Sequence, residues 1–596
     1  MWFEKSILYH IYPLGFCGAP KHNDAMKVNR LEKLETWIPH IKKTGFDALY
    51  LGPVFDSDNH GYDTRDYRMI DCRLGDNALF KSLCGKLREN GIRIILDGVF
   101  NHVGRGFWAF LDVKEKRQSS PYKDWFFIDW NRNSNYNDGF WYEGWEGHFE
   151  LVKLNLRNPA VADHILECVG GWIDDFSIDG LRLDVAYSLD QDFVRRLHSY
   201  TKGRSPEFFL LGECLHGDYN QFVAPGLFDS CTNYECYKGL YSSFNDMNMF
   251  EIAHSLARQF GDRGAMYKDK HLNIFVDNHD VTRIATILKE PKHLPLVYTL
   301  MYTMPGIPCV YYGSEWGIEG GKREGDEALR PSPTSPVEND LTKHIAALNG
   351  MYKSCPPLVY GDYRQIALTN RQFVFRREYE GKAVIITINA DGQPCTAPIG
   401  ESGPATDMVT GEKIELTGPI SMPPYSASVL GIGDWVSDVK ESAPVIIPET
   451  KVVKVEATVL EVSTTETLDS HPAGFDSLLA IARGLAQDRK LARNTWAGAV
   501  AAAILSEKGN IYTGICIDAP SGMGFCAEHA AVAAMITAGE SRVIKCVSVK
   551  EGGEVLPPCG RCREFINAVH DDNHGCEVLL HDGKLTTIGE LLPHRG

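Results

Sequence analysis

The sequence predicts a multidomain α/β protein: a (β/α)8 barrel with a short inserted subdomain after strand 3, then a β-sandwich, then a smaller carboxyl-terminal α/β domain. Three observations lead there. A chain of 596 residues exceeds what one hydrophobic core supports. Over roughly the first 330 residues, short apolar runs alternate with longer amphipathic stretches, the rhythm of βα units around a parallel sheet. That rhythm then gives way to alternating β segments and later returns.

Eight strands are expected in the first region: Ile7 to Pro13, Ala48 to Gly52, Arg93 to Asp97, Gly180 to Asp184, Phe208 to Glu213, Leu227 to Asn233, Asn273 to Asp280 and Gly306 to Gly313. Each apolar run ends in a polar residue, proline or glycine, so each strand has a natural stop. Between His102 and about Lys153 the pattern breaks into an aromatic stretch with Trp108, Trp125, Phe126, Trp130, Trp141 and Trp145. Such rings stack on sugar faces or form a small core of their own. The barrel region is bounded as 1–363 and the sandwich as 364–435, with Phe373-Val-Phe-Arg-Arg and Ala383-Val-Ile-Ile-Thr-Ile as its clearest strands. Residues 436–474, rich in Ser, Thr, Glu, Val and Pro, read as a tether, within which Val453 to Val462 alternates like a strand. The segment 475–596 then runs helix (Leu478 to Lys490), strand (Ile511 to Ile517), helix (Ala527 to Ala538), strand (Cys546 to Val549), helix (Gly560 to Val569) and strand (Val578 to His581).

A net charge of −17 without any Lys/Arg-rich block argues against nucleic acid or an anionic membrane as partner and favours a neutral or small-molecule substrate. No stretch approaches a membrane span, and the amino terminus lacks the pattern of a secretion signal. Sixteen scattered cysteines, three of them in metal-type spacing, suit reduced thiols in a cytoplasm.

Polar residues gather at the carboxyl ends of the expected strands, where barrel enzymes assemble their sites. Breaking a glycosidic bond needs one carboxylic acid and one carboxylate flanking it. Asp184 and Glu213, at the ends of successive strands, supply that pair, and Asp280 adds a third carboxylate. Arg182 lies two residues before Asp184, on the same side of the strand, where its charge is expected to keep Asp184 ionised. Asp97-Gly-Val-Phe-Asn101-His102, Gly180-Leu-Arg182-Leu-Asp184, Gly212-Glu213 and Asp277-Asn278-His279-Asp280 resemble the four signature regions of the α-amylase family. His60-Gly-Tyr62-Asp-Thr, Lys153-Leu-Asn155, Gly306-Ile-Pro308 and Tyr311-Tyr-Gly313 agree with it, and the resemblance spans about residues 5–435. It implies a retaining hydrolase of α-glucan oligosaccharides, with Asp184 as nucleophile, Glu213 as general acid/base and Asp280 as transition-state stabiliser. Tyr62, His102, Arg182 and His279 would line the subsite of the reacting glucose. Asp97 and Asn101 would brace the third strand's end or help position calcium, although the short insertion lacks a carboxylate cluster and argues against bound calcium. Short insertions resemble the neopullulanase and cyclomaltodextrinase types.

A second chemistry sits near the carboxyl end. Hydrolytic deamination of an amino-heterocycle needs an activated water and a proton carrier, and zinc on three protein ligands with one open position supplies the first. Cys559 and Cys562 form a C-x-x-C pair that opens a helix, Cys526 opens another, and Glu528 follows two residues later as proton carrier. Phe525-Cys526-Ala-Glu528-His529 and Pro557-Pro558-Cys559-Gly-Arg-Cys562-Arg resemble the three-cysteine branch of the cytidine deaminases. The resemblance runs from about residue 475 to 595, with Ala497-Gly-Ala-Val, Ile511-Tyr-Thr-Gly514 and Glu590-Leu-Leu-Pro593 in agreement. It implies a zinc cofactor, a cytidine-like nucleoside substrate and a homo-oligomer, in that branch commonly a tetramer. Two departures stand out: the family's ribose-binding Asn-x-Glu is replaced by Cys516-Ile-Asp518, and its charge-offsetting Arg is His529, with Arg561 or Arg563 as stand-ins. Cys516 as a fourth ligand would close the site. The leading expectation is a bifunctional enzyme. The alternatives are a transglycosylating barrel and a carboxyl-terminal domain that assembles or senses ligand without turnover.

Overall fold

The computed structural model describes residues 1–262, 264–433, 435–436, 474–492, 495–518, 524–581 and 583–592. The chain divides into two compact units, Met1–Val453 and Lys454–Gly596. Most of the expected tether and the expected Val453 to Val462 strand lie outside the described residues, as does Pro593.

The first unit is built on eight parallel strands: β1 (Leu8–Ile11), β2 (Ala48–Leu51), β3 (Arg93–Gly98), β4 (Gly180–Leu183), β5 (Phe209–Gly212), β6 (Ser230–Cys231), β7 (Asn273–Ile274) and β8 (Ile307–Tyr311). Their order is β6-β5-β4-β3-β2-β1-β8-β7. A parallel bridge between Thr232 and Asn273 closes the ring. The strands read as nearly unbroken apolar runs because both faces are covered. Leu8, Ala48, Tyr50, Ile95, Phe209 and Leu211 fill the barrel interior, while Tyr9, Leu49, Leu51, Ile94, Leu96 and Leu210 pack outward under the helices. β6 and β7 have only two residues each, shorter than the expected Leu227 to Asn233 and Asn273 to Asp280. There the chain leaves the ladder early to carry polar residues over the barrel mouth.

The insertion holds one α-helix, Trp108–Lys116, two short 3-10 turns and an antiparallel ladder of His102–Gly104, His148–Lys153 and Gly144–Trp145. Trp125 and Phe126 are buried, and Trp108 lies edge-on 5.5 Å from Trp125, so these rings form a small core. After the barrel, a six-stranded antiparallel sheet faces a two-stranded one, Cys395–Ala397 with Ile420–Met422. Val374, Ile385 and Leu430 fill the space between, while Phe373, Phe375, Val384 and Ile386 on the other face join the barrel's outer core.

In the second unit, β9 (Thr495–Ser506) lies between β10 (Ile511–Asp518) and β11 (Val543–Lys550), both antiparallel to it, and β12 (Glu577–Leu579) runs parallel to β11. Period-two alternation along β9 sends Ala501, Ala503 and Leu505 toward helix α1 (Phe475–Leu485) and Ala502 and Ile504 toward α2 (Ala527–Thr537) and α3 (Gly560–Ala568). The expected helix Leu478 to Lys490 stops at Leu485, and Arg489–Ala492 pairs with the start of β9 instead. Gly514 lets α2 lie directly on β10, since a Cβ there would stand 2.4 Å from both Ala527 O and Ala531 N. Among the described residues no helix is long and apolar enough to cross a membrane. All sixteen cysteines are free thiols.

Candidate active sites

The β4/β5 ladder pairs Leu183 with Gly212, so the next residues, Asp184 and Glu213, emerge side by side at the barrel mouth. The β3/β4 ladder pairs Asp97 with Arg182. From there the Arg182 guanidinium reaches three carboxylates: Nη1 donates to Asp97 Oδ1 at 2.8 Å and Asp184 Oδ1 at 2.9 Å, and Nη2 to Glu213 Oε1 at 2.6 Å. All four side chains are buried. The Tyr62 hydroxyl donates to Asp97 Oδ2 at 3.0 Å and stands 2.5 Å from His279 Nε2. His279 Nε2 is 3.0 Å from Asp280 Oδ2, and His102 Nε2 is 3.8 Å from Asp184 Oδ2. Asp184, Glu213, Asp280, Tyr62, His102, Arg182 and His279 therefore surround one space. Asp97 sits beneath them, holding Arg182 and Tyr62. Asn101 turns its amide toward His102 Nδ1 at 3.2 Å.

Two contributors escaped the sequence reading. Arg330 Nη2 donates to Asp280 Oδ1 at 3.0 Å, and Arg330 Nε donates to the His279 carbonyl at 3.1 Å. Its guanidinium lies 4.5 Å over the Tyr12 ring. No motif surrounds Arg330, and its only local signal is distant: a Cβ on Gly15 would meet the Arg330 carbonyl at 2.3 Å, so glycine there permits the approach. The second is Val185, whose backbone N–H donates to Glu213 Oε2 at 3.0 Å. It does so from φ 41° and ψ 47°, a left-handed conformation unfavourable for a β-branched residue and of the kind that gathers at functional sites.

The electrostatics differ from the expectation for Asp184. Burial raises its pKa well above the ordinary carboxylate value, and Glu213 and Asp97 add to the rise, against the lowering pull of Arg182. One cation shared among three carboxylates cannot hold all of them ionised. Burial also raises Glu213, with Asp280 adding to the rise. Asp184 and Glu213 thus titrate as a pair that keeps a proton above the usual carboxylate range. Asp280 behaves oppositely: burial opposes its ionisation, but His279, Arg330 and Arg182 outweigh it and hold the carboxyl well below its ordinary value. Burial pushes the His102 imidazole down to about 3, so the ring is neutral near neutral pH. Arg330→Met is expected to lower kcat/KM by roughly 10- to 100-fold, because Asp280 loses a charge-assisted donor. Steady-state kinetics on a maltooligosaccharide measure it.

In the second unit, Cys526 is the N-cap of α2 and Cys559 the N-cap of α3, with Cys562 in the first turn of α3. Both helix amino ends favour thiolates. The Cys526 and Cys559 sulfurs are 3.6 Å apart, those of Cys559 and Cys562 3.4 Å, and all three lie within 4.8 Å of one another. Tetrahedral zinc with Zn–S bonds of about 2.3 Å requires sulfurs roughly 3.8 Å apart, and the Cys526–Cys559 and Cys559–Cys562 pairs lie within a few tenths of an ångström of that. Glu528 is buried, with Oε1 accepting from the Ser548 hydroxyl at 2.9 Å and Oε2 3.3 Å from Cys562 Sγ. Cys516 is not in the triad; its sulfur accepts from the Val500 N–H at 3.2 Å. Among the described residues the cluster that could hold a metal ion here has three members, Cys526, Cys559 and Cys562. His529 itself meets the cluster, with Nδ1 3.3 Å from Cys562 Sγ and its ring stacked 4.4 Å from Phe565. Arg563, a suggested stand-in, instead donates to the Pro558 carbonyl at 2.7 Å.

Two carboxyls emerging from adjacent parallel strands, clamped by one arginine and faced by a third, ionised carboxylate, define glycosidic bond chemistry as the class of the barrel. Comparison with known proteins supplies the family. The family described as "Alpha amylase, catalytic domain" matches residues 11–350. The chain belongs to this α-amylase family of glycoside hydrolases. It is 28% identical over 458 residues to a cyclomaltodextrinase of Thermoanaerobacter pseudethanolicus, covering 72% of this chain and 78% of that one. It is 29% identical over 449 residues to neopullulanase 2 of Thermoactinomyces vulgaris, covering 69% and 74%. Among solved structures, an acarbose-soaked debranching enzyme of Nostoc punctiforme superposes with a TM-score of 0.60 at 27% identity, covering 72% of this chain and 99% of that one.

Proposed function

We propose that the barrel hydrolyses α-glucosidic bonds in maltooligosaccharides and related α-glucans with retention of configuration. Asp184 attacks the anomeric carbon while Glu213 protonates the departing oxygen. Glu213 then takes a proton from the water that releases the sugar, and Asp280 stabilises the positive charge that builds on the ring. Tyr62, His102, Arg182 and His279 hold the reacting glucose. The observation that carries this reading is the Leu183–Gly212 register, which sets the two carboxyls on neighbouring strands. Adjacent strands lie about 4.8 Å apart, a spacing that suits the roughly 5–5.5 Å of retaining enzymes and not the 6.5–9.5 Å of inverting ones. The printed activities of the relatives, cyclomaltodextrinase and neopullulanase, support α-glucans as substrate.

Proton NMR of the first-formed product tests the stereochemistry: the α-anomer is expected, and the β-anomer would contradict it. The same residues serve transglycosylation when a sugar meets the intermediate in place of water, and product analysis at high oligosaccharide concentration separates the two outcomes. The raised pKa of the Asp184/Glu213 pair sets the sign of the pH dependence. Activity falls on the alkaline side as the pair gives up its last proton, above the ordinary carboxylate range. Glu213→Ala is expected to lose that alkaline limb and, on a substrate whose leaving group needs no acid, to regain turnover with added azide, yielding a glucosyl azide of α configuration. A variant that keeps the wild-type limb would remove Glu213 from its role.

We further propose that the second unit is a zinc-dependent hydrolytic deaminase of cytidine or a related amino-pyrimidine nucleoside. Cys526, Cys559 and Cys562 would hold zinc, which when bound would supply the Lewis acidity that makes a water nucleophilic near neutral pH. Glu528 takes the proton of the attacking water and delivers it to the departing ammonia, so that a ring amino group is exchanged for oxygen. What supports this is the triad at zinc spacing with Cys516 turned elsewhere and a buried carboxylate beside it. The replacement of the family's ribose-binding residues by Cys516-Ile-Asp518 leaves the nucleoside open. Exposed Phe525, Ile536 and Leu585 suit a homo-oligomer built through this unit, a tetramer by resemblance, which sedimentation velocity measures. The same analysis tests the reading of the unit as an assembly module without turnover. The free thiols support a cytoplasmic location.

A further inference from the structure

Beneath the catalytic carboxyls, the barrel interior holds a cavity of about 20 Å³ lined by residues that include His10, Tyr50, Arg182, Glu213 and His279. That is room for one water molecule, which needs about 10–15 Å³, and the lining is polar enough to hold it. Two of the lining residues carry buried ring nitrogens without a protein partner, His10 Nε2 and His279 Nδ1. The rings are perpendicular with centres 5.1 Å apart, and no direct hydrogen bond joins them. A single water within reach of both would satisfy both nitrogens, and a buried ring nitrogen requires a partner in either protonation state.

His10 is suited to anchor such a bridge because its own ring cannot turn. It stacks on Tyr50 at 4.1 Å and packs against Tyr311 at 4.8 Å, its ladder partners on β2 and β8. On its other side, His279 presents Nε2 to Tyr62 and Asp280. We infer that His10 is a positioning residue for the barrel reaction: through one buried water it fixes the Nδ1 side of His279, and so holds Nε2 toward Tyr62, Asp280 and the sugar. His10 touches neither substrate nor the reacting atoms. The inference rests on the reading of Asp184, Glu213 and Asp280 as the catalytic carboxyls.

A high-resolution crystal structure of the unliganded full chain is the first test. Density for one water within hydrogen-bonding reach of His10 Nε2 and His279 Nδ1 is expected, and an empty gap overturns the inference. The second test compares variants on a maltooligosaccharide. His10→Phe fills the space with an apolar ring, and kcat/KM is expected to fall about tenfold, mostly through KM, since a freed His279 binds sugar less well. His10→Gln keeps a polar partner and is expected to recover to within about threefold. A folded His10→Phe protein with wild-type KM and kcat overturns the inference, and if that protein does not fold, the water density still decides. Full activity in Asp184→Asn would instead sink the catalytic reading while leaving the water bridge in place.

Discussion

Asp184→Asn is expected to abolish maltooligosaccharide cleavage, lowering kcat by about four orders of magnitude or more, while making the fold more stable near neutral pH. The loss follows from its role: an amide cannot form the glycosyl ester, and no other carboxylate stands beside Glu213 at the end of a neighbouring strand. The gain follows from burial. A carboxyl whose pKa is raised on folding stabilises the fold fully only below its unfolded value, and that contribution is lost as pH rises through the folded value. Asp184 and Glu213 are both raised, with burial the largest cause. At neutral pH they therefore burden the fold, and removing one charge also frees Arg182 to serve Asp97 and Glu213. Thermal melts should show a rise of a few degrees near neutral pH that shrinks as pH falls and vanishes below about pH 3, where the unfolded carboxyls are protonated too. A variant that cleaves at a wild-type rate removes the nucleophile. One that melts lower at neutral pH contradicts the electrostatic account.

The second large effect is expected at Glu528. Glu528→Ala in the full chain should release ammonia from cytidine, deoxycytidine or a blasticidin-type nucleoside about 10²- to 10⁴-fold more slowly, with zinc content unchanged. Cys562→Ser should lose the metal itself, since a neutral hydroxyl is a poor ligand in place of a thiolate. The two variants separate proton transfer from metal binding. If wild type binds one zinc per chain yet none of the three nucleosides is turned over faster than by Glu528→Ala, the unit is not a deaminase of these substrates. Barrel activity should be indifferent to both substitutions.

Much of the barrel was legible because its strands are buried on two faces, which leaves unbroken apolar runs such as Ile94-Ile-Leu, stopped by Asp97, and Phe208-Phe-Leu-Leu, stopped by Gly212-Glu213. The polar stop is also what marks the site, so Asp184 and Glu213 could be read from the same pattern as the strands. β7 was less legible because its apolar run continues past the last ladder pair, Phe275 still packing inside the barrel after the strand has ended, and β6 because the apolar Leu227 and Phe228 pack in the outer core before its two-residue ladder begins. Arg330 was not visible because its partners, Asp280 and Tyr12, are 50 and 318 residues away and meet it only through the fold. The ionisation of Asp184 was misjudged for a related reason. Its i−2 neighbour Arg182 is apparent in the sequence, whereas the sharing of that arginine with Asp97 and Glu213 depends on strand register. In the second unit, β9 is alanine-rich, Ala501-Ala-Ala, a composition of high helix propensity that carries no strand signal until helices cover both its faces.

The most direct test of the barrel mechanism is covalent trapping. Incubating the Glu213→Gln chain with a fluorinated glucosyl fluoride, whose good leaving group needs no acid and whose fluorinated ring slows release, should accumulate the glycosyl-enzyme. Peptide mass spectrometry is predicted to find one sugar on the peptide carrying Asp184. An adduct on any other residue, or continued turnover with Asp184 unlabelled, would contradict the account.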